Sequence, residues 1–201
     1  QTPTLGSQNQ SPEPVPEPVP APAPEPETPL LTVVINEIAW AGTKAGSSDE
    51  WMELYNNTTS TVDLTNWILS WSHETTTHSF SFATSTGITT ISAGEFYLLE
   101  RTASDTIDLT EDQIYTGALS NNGEKLELRD AENNLIDFLD FSAGWPAGTS
   151  TPNYISMERI SATSSATSTN WASNNLLTRN GQDSDGNKIN GTPKAQNSVS
   201  V

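Results

Sequence analysis

The stretch from Ile35 to Leu69 limits the possible fold more than any other part of the chain, because its side chains alternate. In Glu50-Trp51-Met52-Glu53-Leu54-Tyr55-Asn56, Met52 and Leu54 share one face of an extended strand and Trp51, Glu53 and Tyr55 the other. Successive side chains of a strand point to opposite sides, so this period of two predicts a half-buried strand. Asn56-Asn57 supplies turn chemistry, since Asn tolerates the left-handed region and bonds its own backbone. A shorter alternating strand at Ile35–Ile38 precedes it, and a third opens with Val62-Asp63-Leu64-Thr65-Asn66-Trp67. The pattern is antiparallel sheet with no obvious reactive centre.

Strands are expected near 32–38, 50–56, 62–71, 78–82, 95–100, 125–130, 134–141 and 154–160. Short strands at regular spacing with turn signals predict an all-β sandwich. Asn122-Gly123 is a turn dipeptide, and Asp130 to Asn134 reads as a hairpin loop. Leu109 to Ile114 could make one helical turn capped by Thr110. The expected core holds Val34 or Ile35, then Ile38, Met52, Leu54, Leu64, Trp67, Leu69, Phe80, Phe82, Ile91, Tyr97, Leu99, Leu126, Leu128, Ile136 and Met157. Trp67, Leu69 and Trp71 should share a face.

Ten of the 13 prolines lie in residues 1–29, so residues 1–30 read as a disordered, polyproline linker. Eighteen residues of that kind reach about 55 Å as a semi-rigid spacer. The rest of the 201-residue chain is enough for one domain, and without cysteine its packing must hold it unaided. A chain that starts at Gln1 is expected to be processed or a fragment. No run approaches the ~20 apolar residues of a membrane helix. With 25 acidic against 8 basic residues and a net charge of −17, nucleic acid is disfavoured as a partner, because phosphates need clustered cations. Cations and basic partners are favoured.

Candidate chemistry is sparse. His73 and His78 are five apart among threonines, whereas a helical zinc motif needs a spacing of four. In a single strand that spacing places them on opposite faces, so they read as exposed hairpin histidines. No nucleophile motif or phosphate loop occurs. Glu37, Asp49, Glu50 and Glu53 are close in sequence, but a solvated strand face explains them better than a glycosidase pair, with Glu53 outward. Glu37 instead invites a bond to backbone amides of an adjoining loop. Asp183, Asp185 and Asn187, followed by Asn190, match the first half of a calcium loop, with Gly186 at the turn. The twelfth position is Lys194 instead of Glu, so the alternative is a polar loop built for turn geometry. Trp40, Trp51 and Trp145 are the rings that could stack on a glycan if exposed.

Taken in order, Asn36-Glu37, Glu50-Trp51-x-Glu53-Leu54-x-Asn56, Leu64-x-x-Trp67-x-Leu69, Ala93-Gly94-Glu95-x-Tyr97, Leu119-Ser120-Asn121-x-Gly123-Glu124-x-Leu126-x-Leu128-x-Asp130 and Ile136-Asp137 resemble the lamin-tail domain. Ser156-Met157-Glu158-Arg159, Trp171 and Gly191-Thr192-Pro193-x-x-x-Asn197 complete the resemblance, which spans residues 31–198 and is to bacterial exported members. It implies an immunoglobulin-like antiparallel sandwich without catalytic residues. It also implies display at the cell surface or secretion, and a role in binding a protein or a cell-envelope component through end loops or an exposed strand edge. The alternatives are a calcium- or glycan-binding module, or an accessory domain of a larger extracellular hydrolase.

Overall fold

The computed structural model describes residues 27–201, so most of the Pro-rich stretch lies outside the described residues. The alternating segments pair into two main sheets. β1 (Val33–Ala39), β2 (Trp51–Asn56), β7 (Phe96–Arg101), β8 (Gln113–Tyr115), β11 (Met157–Arg159) and β12 (Trp171–Ser173) form one sheet, in the order β12-β11-β1-β2-β7-β8. β4 (Ile68–His73), β5 (Thr76–Ser81), β9 (Lys125–Arg129) and β10 (Leu135–Asp140) form the second, in the order β10-β9-β4-β5. β3 (Val62–Asp63) and β6 (Thr90–Ile91) make a separate small ladder. The molecule is an all-β, immunoglobulin-like sandwich whose pairings are antiparallel apart from the parallel β7–β8 pair.

The inner faces of both sheets meet in one core that contains Ile35, Ile38, Met52, Leu54, Leu69, Trp71, Tyr97, Leu99, Leu126, Leu128 and Met157. Nearly every expected core residue is there. Val34 is buried outside this cluster, and Phe80 packs against it half-buried. Burying such side chains is worth roughly 1.5–3 kcal/mol each. Trp67, Leu69 and Trp71 do share the inward face.

The strand expected over 62–71 is two strands. Asn66 takes a positive φ of 64°, and the Trp67 N–H donates to the Leu64 carbonyl, closing a turn between β3 and β4. Leu109 to Ile114 contains no helical turn and runs instead into β8, whose pairing with β7 outweighs a weak local capping signal. At Asn122-Gly123 the turn stands as expected: Gly123 has a φ of 97°, and a β-carbon there would lie 2.0 Å from the Phe141 carbonyl. The Asp130 carboxylate accepts from the N–H groups of Glu132 and Asn134, which shapes the β9–β10 hairpin loop.

The six-stranded sheet is covered on both faces. Its outer face lies under the C-terminal segment, residues 174–198, where Ile189 packs with Ala39, Trp51, Leu98 and Ile107 in a second apolar cluster.

Candidate functional site

Alternation in β2 and β11, and a β-bulge between Ile35 and Glu37 in β1, send Glu53, Glu158 and Glu37 to that outer face. The expectation that Glu53 points to solvent is corrected: all three carboxylates are 0% exposed. The period of two holds, but the outer face is covered by the C-terminal segment, which alternation does not reveal.

Around these acids the donors are polar groups of the segment and of neighbouring strands. Glu37 Oε1 accepts from the Ser156 hydroxyl at 2.5 Å and the Thr192 N–H at 2.9 Å, and Glu37 Oε2 lies 2.9 Å from Thr192 Oγ1. Glu53 accepts from Asn36 Nδ2 at 3.0 Å and from the Lys194 N–H at 2.5 Å. Glu158 accepts from Asn174 Nδ2 at 2.6 Å and the Ser198 hydroxyl at 2.7 Å, and stands 3.0 Å from Thr192 Oγ1. Asn197 and Asn36 exchange side-chain bonds beside them. A β-carbon on Gly191 would lie 2.5 Å from Glu37 Oε1, so only glycine lets the segment come this close. Burial first, and then the adjacent Glu158, hold the Glu37 carboxyl well above the ordinary carboxylate range; burial and then Glu37 do the same to Glu53.

The expected structural role of Glu37 is therefore present. Glu158, Thr192 and Asn197 carried no assigned role in the sequence, although all three stand in the same ordered motifs as Glu37. Other acids, in a strand or just before one, repeat the device at loops. Glu100 accepts from the N–H groups of Thr106 and Ile107, Glu124 from that of Ser120, and Glu50 from that of Leu119. Desolvation pushes Glu100 up to about 8 and Glu124 up to about 7.

Of the residues expected to hold calcium, Asp183 is buried and its carboxylate serves the turn around it. Asp183 Oδ1 accepts from the N–H groups of Asp185 and Asn187 and from Asn187 Nδ2, while Oδ2 accepts from the Ala45 N–H. Asp185 is exposed, and Asn190 Oδ1 accepts from Arg179. These contacts make an Asp-closed turn that is tied to the loop after β1. Among the described residues no group of three or more His, Cys, Asp or Glu side chains is placed to hold a metal ion. A groove of about 580 Å³ beside Asp183 is lined by Asp105, Asp108 and Glu111, which keeps this end acidic.

The three rings do not form a platform. Trp51 is 1% exposed in the second apolar cluster, which corrects its reading as a surface ring. Trp40 and Trp145 are half-buried and stack on each other at 6.2 Å. Their indole N–H groups donate to the carbonyls of Ala147 and Ser120. The histidines also depart from expectation. A two-residue turn joins β4 to β5, and Trp71 pairs with His78 while His73 pairs with Thr76, so both imidazoles lie on the inward side. His78 rests against Trp71 and His73 Nδ1 meets the Gly123 carbonyl, so both are half-buried.

One edge stands open. Phe82 N–H donates to the Trp67 carbonyl, and bonded and non-bonded pairs alternate along an antiparallel ladder. His78, Phe80 and Thr76 thus bond β4, and the backbone groups of Thr77, Ser79 and Ser81 face away from it. Among the described residues nothing bonds that side, whereas Leu30 and Leu31 donate to Leu135 and Ile136 on β10.

Two face-packed sheets, whose buried acids are spent on holding loops and the C-terminal segment, define an immunoglobulin-like scaffold. The family model described as Lamin Tail Domain matches residues 26–143, more than half of the chain, and the chain belongs to that family of immunoglobulin-like, non-enzymatic domains. The matched stretch ends before β11, which nevertheless pairs with β1. No curated protein matched the chain.

Proposed function

We propose that this domain is a non-catalytic interaction module that takes an extended segment of a protein or cell-envelope partner onto the free edge of β5. The observation that carries this reading is the edge itself: Thr77, Ser79 and Ser81 are exposed, and their outward N–H and C=O groups have no partner among the described residues, along an uncharged strand. A strand of this length without Pro, Lys or a bulge lacks the usual protection against pairing, and strand addition is a common mode of peptide recognition. The net charge of −17 favours a neutral or basic partner over nucleic acid. Extracellular or surface display belongs to this proposal and is supported by the Pro-rich stretch before the domain. No observation favours the calcium or glycan alternatives, given the filled Asp183 carboxylate and the mutually stacked Trp40 and Trp145.

Selection of linear peptides from a random display library, followed by binding to Ser79→Pro, tests the reading. Proline removes one outward N–H and no bond to β4. Binders that lose affinity for the variant support strand addition on β5; a selection that yields only binders indifferent to the variant, or none, removes it.

A further inference from the structure

We propose that a single proton on Glu37 Oε2 fastens the C-terminal segment, residues 174–198, to the outer face of the six-stranded sheet, and that its removal in alkali frees the segment while the sandwich stays folded. This face is remote from the inter-sheet core, and the fastening does not depend on β5.

Counting hydrogens locates the proton. Thr192 Oγ1 lies 2.9 Å from Glu37 Oε2 and 3.0 Å from Glu158 Oε1. A hydroxyl has one hydrogen, so it donates to one of these oxygens, and the other contact is a hydrogen bond only if that carboxyl is the donor. At Glu158 both oxygens already accept, Oε1 from Asn174 and Oε2 from Ser198. At Glu37, Oε1 accepts from the Thr192 N–H and from the Ser156 hydroxyl, which lies nearer to it (2.5 Å) than to the Asn190 carbonyl (3.1 Å), while Oε2 meets Thr192 Oγ1 alone. The hydrogen belongs on Glu37 Oε2. It donates to Thr192 Oγ1, which donates to Glu158 Oε1; the Asn197 Oδ1 at 3.5 Å, the longest of the three contacts of that hydroxyl, is left to the amide hydrogens of Asn36.

Without that hydrogen, oxygen lone pairs oppose each other where water does not reach, and an unmade bond to a buried charge is costly. The charged groups around Glu37 are Glu158 on β11 and Glu53 on β2, and Lys194 on the segment acts on Glu53. The Lys194 ammonium is committed to the Asp112 carboxylate, so no cation replaces the proton. Burial and the Glu158 charge strengthen the hold of Glu37 on it. The partners lost with the proton, Thr192 and through it Glu158 with Asn174 and Ser198, belong to the segment or to its anchor. The inner core and the Arg159–Asp137 pair keep their bonds, so the segment opens before the sandwich does.

Amide hydrogen exchange followed from about pH 6 to about pH 10, corrected for the intrinsic rate, tests the proposal. Protection at Thr192 and Lys194 should fall by about tenfold or more while Leu126 and Leu128 on β9 keep theirs. Glu37→Gln, whose amide donates in place of the proton, should hold the segment closed throughout. Unchanged protection in the wild type, loss from β9 in step with the segment, or a folded Glu37→Gln that is already open at about pH 6 would each overturn it. If Glu37→Gln does not fold, the wild type decides. The Glu37 carboxyl carbon resonance, assigned through its own amide, should sit at the protonated position near neutral pH and move in alkali; an ionised position at neutral pH overturns the proposal.

Discussion

Arg159 ties the two sheets together at the level of single residues. It leaves β11 fully buried and donates to both oxygens of Asp137 on β10, at 2.5 and 3.3 Å, and to the Ile35 carbonyl at 3.1 Å. Its guanidinium also lies 5.9 Å from the Trp171 ring. A buried pair adds little over a well-packed apolar pair, but removing one partner strands the other charge. Arg159→Met is therefore expected to cost about 3–5 kcal/mol, and Arg159→Met with Asp137→Leu considerably less. Urea unfolding of the three proteins checks this, and a single variant as stable as wild type would show that Asp137 does not need its partner. Gly191→Ala presses a methyl group onto Glu37 and Ser156 and is expected to cost about 1–3 kcal/mol, as overpacking does. Neither residue announced its role in the sequence, because a partner more than twenty residues away leaves no mark on local pattern.

Among the elements, β5 and the Asp183 turn separate backbone function from side-chain function. Ser79→Pro should leave stability close to wild type, whereas His78→Pro removes a bond to β4 and should cost about 3 kcal/mol or more. Thermal melts of both variants read this difference, and equal destabilisation would mean that the ladder alternates the other way. The Asp183 carboxylate serves the backbone N–H groups of Asp185, Asn187 and Ala45, so Asp183→Ala should lower the melting temperature by several degrees, by the same amount in EDTA as in millimolar calcium. A loss that occurs only in calcium would restore the metal reading. The strands with strong alternation, β1, β2, β7, β9 and β10, were legible from sequence to within a residue or two. β6, β8 and β12, two or three residues long, were not, because such strands are set by the neighbours they pair with.

For the whole molecule, the unusual property is its store of buried acids. Glu100 is pushed up to about 8 and Glu124 up to about 7, chiefly by desolvation, and Glu37 and Glu53 are raised in the same direction. Each binds its proton more tightly folded than unfolded. Their stabilisation is complete below the unfolded carboxylate value of 4.5 and is lost as pH rises through the folded values, about 7 for Glu124 and about 8 for Glu100. The melting temperature should thus rise as pH is lowered from about 8 to about 5, a direction that the net charge of −17 reinforces through relief of self-repulsion. Calorimetry across that range checks it, and a melting temperature that falls on acidification would contradict the protonated acids. By itself, the sequence determined the sandwich, most of its core and the strands that carry Glu37, Glu53 and Glu158, because alternation is a local property of the chain. Only the tertiary structure decided that the second face of the large sheet is also covered. That covering buried Glu53 and Trp51 on the outer face and filled Asp183 with backbone donors, while β5 of the other sheet keeps an edge that no described residue pairs, since burial and pairing are conferred by segments distant in sequence.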